Sequence, residues 1–137
     1  LLNPFKLFLW LYFGIYAAYA MDFETFYQQV HIQSLEKNYI RFRGRKLLSY
    51  ESYHLISDAK EKEKLYDSLV LVFTKISRFI IFNEQSGVGI STELGSHLQF
   101  DIKYYETLEN IGIRGEIKAM CVLPYFDKCI LLGYQAF

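Results

Sequence analysis

Proline is almost missing from this chain: in 137 residues there are two, Pro4 and Pro124. Between them no proline removes a backbone N–H, so neither helices nor strands are interrupted that way. Cysteine is as scarce, with only Cys121 and Cys129. That excludes a multi-bridge disulfide framework and a four-cysteine zinc site. A surplus of charge is also lacking, since 15 basic and 15 acidic side chains cancel. Zero net charge takes away the long-range attraction that a dedicated nucleic-acid binder uses. Disorder is excluded from the other direction, because the chain is 52% hydrophobic and disordered chains are poor in apolar residues.

Signatures of catalysis are absent as well. GVGISTELGS is glycine-rich, but it is neither a phosphate-binding P-loop nor a GxGxxG turn. Ser91 is followed by Thr92 and Glu93, so there is no nucleophile elbow. His31, His54 and His97 are scattered without metal-ligand spacing, and Asp101 and Glu106 do not form an evident acid–base pair. No catalytic residue, metal site or cofactor is expected, and the chain is read as a non-enzyme.

What is abundant is aromatic: 12 Tyr and 12 Phe. Phe, Tyr, Ile and Lys are residues that A/T-rich codons encode, which points to an organellar or A/T-rich bacterial genome. The length suits one domain. Its most distinctive stretch is the start, LLNPFKLFLWLYFGIYAAYAMDFE, where Leu7 to Met21 carry no charge. Asn3-Pro4 is a good helix start, and no glycine follows Gly14 until Gly44. Phe23, Phe26, Tyr27 and Val30 then share one helical face. Together these predict one helix over 1–37, roughly 50 Å long from Pro4 onward.

Three readings of that helix are open: a signal peptide cut after Ala18-Tyr19-Ala20, a retained membrane anchor, or an apolar core helix. The apolar part, 5–21, is short for a span, since its uncharged residues reach roughly 22 Å against about 30 Å of hydrocarbon. Tyr12, Tyr16 and Tyr19 form a stripe whose hydroxyls need partners that lipid does not supply. Gly14 and Ala18 make a small-xxx-small pair that lets another backbone approach. The preferred reading is an anchor whose Tyr12, Gly14, Tyr16, Ala18 and Tyr19 pack against partner helices.

Beyond it, Tyr39 to Lys46 alternates apolar and basic residues, the pattern of an exposed edge strand. Arg41, Arg43, Arg45 and Lys46 are candidates for contact with an anionic partner or lipid head groups. A plain edge guard against mispairing is the simpler alternative. LLSYESYHLI reads equally well as strand or helix. Ser57-Asp58 caps a predicted helix over 58–76, with Leu65, Leu69, Val72, Phe73 and Ile76 on one face.

From Arg78 the period changes to two. RFIIF and VGIST flank NEQSG as a hairpin. HLQFDIKYY places Leu98, Phe100, Ile102 and Tyr104 inward, and a terminal hairpin turns around PYFDK. Cys121 and Cys129 face each other there only if the loop is Pro124 to Phe126. A loop of Pro124 to Lys128 sets Leu123 opposite Cys129, so two buried free thiols are the expected state and a disulfide the alternative.

The predicted architecture is α+β: the long N-terminal helix over 1–37, then a small domain over 38–137 with helix 58–76 on an antiparallel sheet of about five strands. The order of helix, RFIIF hairpin and GIRGEIKAMCVLPYFDKCILLGYQAF resembles the closing strands of GAF/PAS-like sensor domains, and assigns no ligand residue. The expected role is a non-catalytic accessory subunit of a multi-subunit membrane complex, with other protein subunits and membrane lipid as partners and nucleic acid not among them. Composition extends that expectation to a mitochondrial inner-membrane, respiratory-chain assembly. The alternative is a soluble or exported PAS/GAF-like sensing or dimerisation module, or a bacterial membrane protein.

Overall fold

A computed structural model describes residues 6–7, 17–18, 22–83 and 87–137. The chain divides into two compact units, Leu1–Ile40 and Arg41–Phe137. In the first, β1 (Lys6–Leu7) and β2 (Ala17–Ala18) pair antiparallel, with Lys6 beside Ala18 and Leu7 beside Ala17. Helix α1 (Phe23–Leu35) begins where the Asp22 carboxylate accepts the Thr25 amide at 2.8 Å, the usual work of an N-cap. Phe26, Tyr27, Val30 and Ser34 make up its buried face. Lys37 then turns left-handed at φ 59°. The Asn38 amide bonds back to the Gln33 carbonyl and that of Lys37 to Ser34, a Schellman stop with lysine in the place glycine usually takes.

The long N-terminal helix is therefore not formed. A continuous helix would hold Lys6 and Ala18 about 18 Å apart along its axis, whereas they are strand partners. Asp22 explains where helix does begin, since its side chain serves as a cap and not as an interior residue. Among the described residues no helix is long and apolar enough to cross a membrane. The expected transmembrane anchor, and the mitochondrial respiratory-chain role built on it, lose their basis with that helix.

The second unit is dominated by strands. Across its boundary with the first runs β3 (Ile40–Phe42), followed by β4 (Arg45–Ser49), helix α2 (Tyr50–His54), helix α3 (Ala59–Glu63) and β5 (Leu69–Asn83). Next come β6 (Gly87–Thr92), β7 (His97–Phe100), a 3-10 turn at 102–104, helix α4 (Tyr105–Ile111), β8 (Glu116–Val122) and β9 (Cys129–Gln135). The seven strands are ordered β3-β4-β5-β6-β7-β9-β8, and β8 returns to pair with β5. Five of them thus close into a ring.

Closure depends on the 15 residues of β5. Its first half, Leu69 to Lys75, lies antiparallel to β8, while Ile76 to Asn83 lies antiparallel to β6. Register shifts after Ile76 and after Phe79 mark the bend between these duties, as bulges do in barrels. β7 and β9 run parallel, joined at Phe100 and Cys129, and the connection between β7 and β8 carries α4. A five-stranded Greek-key ring with a helix between its third and fourth strands has the connectivity of an OB-type barrel. Val70, Val72, Ile76, Val88, Ile90, Leu98, Phe100, Ile117 and Ala119 fill the barrel, and α4 buries Leu108 and Ile111. Each large member contributes roughly 1.5–3 kcal/mol over leaving it exposed.

Outside the ring, β4 lies parallel to β5, with Leu47, Leu48 and Ser49 opposite Leu69, Val70 and Leu71. Helix α2 sits against β5. Leu69, Val70, Leu71 and Val72 are consequently all buried, and this corrects the predicted helix over 58–76. The apolar run satisfies a helical face because nearly every position in it is apolar. A strand covered on both sides shows the same unbroken run, and the β-branched residues Val70, Val72, Thr74 and Ile76 favour it. The cap was placed correctly: Asp58 accepts the Lys60 amide at 2.9 Å, but α3 stops after five residues.

Other expectations change in smaller ways. The sheet is mixed and has seven strands, in place of an antiparallel sheet of about five. A closed, mixed sheet also differs from the open antiparallel one behind the GAF/PAS resemblance. LLSYESYHLI is both strand and helix, divided by Ser49, whose hydroxyl accepts the Ser52 amide. HLQFDIKYY leaves the sheet at Phe100, because the Asp101 carboxylate accepts the Lys103 amide at 2.9 Å and starts a 3-10 turn. Short polar side chains compete with ladders in this way.

The cysteines form a disulfide. Cys121 pairs directly with Cys129, the register of the three-residue loop. Leu123 does not continue that ladder. Its amide bonds to the Ser68 carbonyl, and its carbonyl accepts from Asp67. The visible loop is therefore wider than the register implies.

Candidate interaction surface

The β3–β4 hairpin turns on two residues, Arg43 and Gly44, with φ of 53° and 80°. Two consecutive positive φ angles define the type I′ turn, whose twist matches the strands it joins. Glycine takes the second position freely, and Arg43 takes the first at some cost. The tip is held further by the Arg41 guanidinium, whose Nη1 donates to the Gly44 carbonyl at 3.2 Å. The Arg43 guanidinium lies 5.5 Å from the centre of the half-exposed Phe42 ring, within cation–π range.

Arg41, Arg43 and Arg45 are all exposed, and Lys46 is half-buried. Among the described residues no carboxylate forms an ion pair with any of the three arginines, while Lys46 has a partner of its own. The four cations predicted to act together are thus adjacent, with Lys46 the least available. β3 is also the terminal strand of the sheet, so a row of backbone groups faces outward beside the arginines.

The residues predicted to pack against a partner helix fare differently. Tyr12, Gly14, Tyr16 and Tyr19 lie outside the described residues. Ala18 is extended, opposite Lys6. Of the histidines, His97 is exposed on β7 and His31 is half-buried on α1. His54 stacks on Tyr50 with ring centres 4.1 Å apart, and its Nδ1 lies 3.1 Å from the Tyr50 carbonyl. Among the described residues no group of His, Cys, Asp and Glu could hold a metal ion. Burial, reinforced by Tyr66, raises the Tyr53 phenol above its ordinary pKa. A hydrogen bond to the Glu109 carboxylate does the same for the Tyr105 phenol.

The barrel has a second, largely covered face that sequence reasoning did not reach. Val88, Ile90, Leu98 and Phe100 point inward, so the opposite face of β6 and β7 is built from Gly89 opposite Gln99 and Ser91 opposite His97. Of these four, Gly89 and Ser91 are buried, Gln99 is half-buried and His97 is exposed. Arg78 of β5 stands beside Ser91. In OB-type barrels this face, with two flanking loops, is where oligonucleotides and oligosaccharides are held. Single-stranded nucleic acid is gripped there by stacking rings and rows of cations. Here the four β6–β7 positions include no aromatic ring, and Arg78 is the cation among the five residues. Alternation marked these positions in sequence, but without the register nothing joined them into one face.

No family model, curated protein or solved structure matches this chain.

Proposed function

We propose that the chain is a non-catalytic accessory domain that binds a partner protein through its cationic β3–β4 hairpin. The observation that carries this reading is the hairpin tip: three exposed guanidiniums, Arg43 on the two-residue turn with Arg41 and Arg45 on the strands beside it, none paired with a described carboxylate, in a chain of zero net charge. Guanidinium forks match carboxylates in two parallel charge-assisted bonds. A guard against mispairing needs a cation along the edge; this hairpin adds one on the turn itself, beyond any strand. The sparse β6–β7 face gives no support to nucleic acid as the partner. The Cys121–Cys129 bond supports an oxidising setting, such as that of an exported protein, where disulfides persist.

Binding of fluorescent polyglutamate, followed by anisotropy at increasing salt, tests the reading. The wild-type chain binds, and its affinity falls as salt screens the contact. Replacing Arg41, Arg43 and Arg45 together by alanine abolishes binding while the circular dichroism spectrum stays unchanged. Equal binding by the folded triple variant refutes the proposal.

A further inference from the structure

The hairpin offers more than charge, because its outer strand ends the sheet. We propose that the free edge of β3 receives an extended acidic segment of the partner as an added strand, with Arg41, Arg43 and Arg45 reading its carboxylates. This rests on the hairpin being the binding surface, and it adds how the partner is held and what shape it has. Strand addition draws its strength from backbone hydrogen bonds along an open edge, and its selectivity from side chains beside it.

Both parts are in place. Ile40–Phe42 presents an edge with no neighbouring strand among the described residues. The tight turn fixes the edge in position. The arginines decide which strand is accepted. A second copy of β3 would bring guanidiniums against guanidiniums, and like charges set opposite each other in a sheet are destabilising. The same side chains that exclude self-pairing favour a strand of opposite charge. A folded acidic surface satisfies the charges and leaves the edge empty, whereas an extended segment satisfies both.

The probe is a peptide of roughly eight residues alternating glutamate and valine, about a strand in length. Two N-methylated versions each block one set of alternate amides. One edge of an added strand uses one set only, so one methylated version binds at least tenfold more weakly than the parent and the other binds nearly as well. Amide exchange within β3 slows in the complex.

If both methylated peptides bind like the parent, strand addition is overturned and the charge-based reading of the hairpin stands. If neither the peptide nor polyglutamate binds, both fall. If the parent peptide stays unbound while vesicles containing phosphatidylserine, or a single-stranded DNA, bind in an arginine-dependent way, strand addition is likewise overturned and the hairpin recognises phosphate.

Discussion

Replacing Gly87 by alanine tests the close approach of β6 and β7 more directly than emptying the barrel's core. Gly87 opens β6 with φ +94°, and it is the residue opposite Asn83 where β5 meets β6. Two separate penalties meet there. A side chain at positive φ costs about 1–2 kcal/mol. An added Cβ would also be driven into the Phe100 carbonyl, the backbone end of β7, and forced overpacking costs about 1–3 kcal/mol. The sum is about 2–5 kcal/mol, a large part of the roughly 5–15 kcal/mol that a domain has. It lowers the melting temperature by roughly 10–20 °C.

Gly44→Ala is the matched control. Its φ is +80°, but nothing lies within 4 Å of the position a Cβ would take. It therefore carries the first penalty without the second. Urea denaturation of both variants, with the slope m checked for constancy, isolates the difference. Gly87→Ala is expected to be the less stable by about 1–3 kcal/mol. Equal losses in the two variants would refute the claim that β6 and β7 approach closely enough at this point to require glycine.

Changing Cys121 and Cys129 together to alanine removes a link spanning 8 residues. The loop-entropy model puts the loss at about 2.5 kcal/mol, read as a lower urea midpoint. Thiol titration of the unreduced wild-type protein should find no free thiol, and two reactive thiols in native protein would contradict the pairing. Tyr53 holds its proton more tightly folded than unfolded. Below the ordinary tyrosine pKa of about 10 it adds no pH dependence. Above that value the unfolded chain ionises first, and stability falls as pH rises toward the folded value. Tyr53→Phe should flatten this fall in urea midpoints between about pH 9 and about pH 11, and an identical slope would remove Tyr53 as its source.

The parts legible in sequence were those decided by neighbouring residues. The NEQSG hairpin pairs where expected, with Asn83 meeting Gly87, whereas the strands beside PYFDK meet in the disfavoured register, which pairs Cys121 with Cys129 in place of two free thiols. Asp58 caps the helix it precedes, and the four cations of 41–46 do share one hairpin. What failed depended on distant partners. Leu69 to Ile76 satisfies a helical stripe and a doubly covered strand alike, and β8, some fifty residues onward, supplies the pairing that settles it. The apolar start misled for a related reason, since a missing helix breaker does not supply a helix. The face shared by Arg78, Ser91, His97 and Gln99 exists only through cross-strand register, which composition and spacing do not encode.

The double duty of β5 has a consequence for synthesis. Ribosomes release the chain from its N-terminus, so β4, β5 and β6 emerge before the strand that seals the ring. Until Glu116 to Val122 has left the exit tunnel, the Leu69–Lys75 segment of β5 has β4 beside Leu69 to Leu71 on one side and lacks β8 on the other. That edge is rich in valine and leucine, the composition most prone to pairing with another nascent chain. Closure through contacts so far apart in sequence is intrinsically slow. The interval between making β5 and making β8 is therefore when the protein is most exposed to aggregation, and a chaperone that shields β5 then would raise the yield of closed barrels.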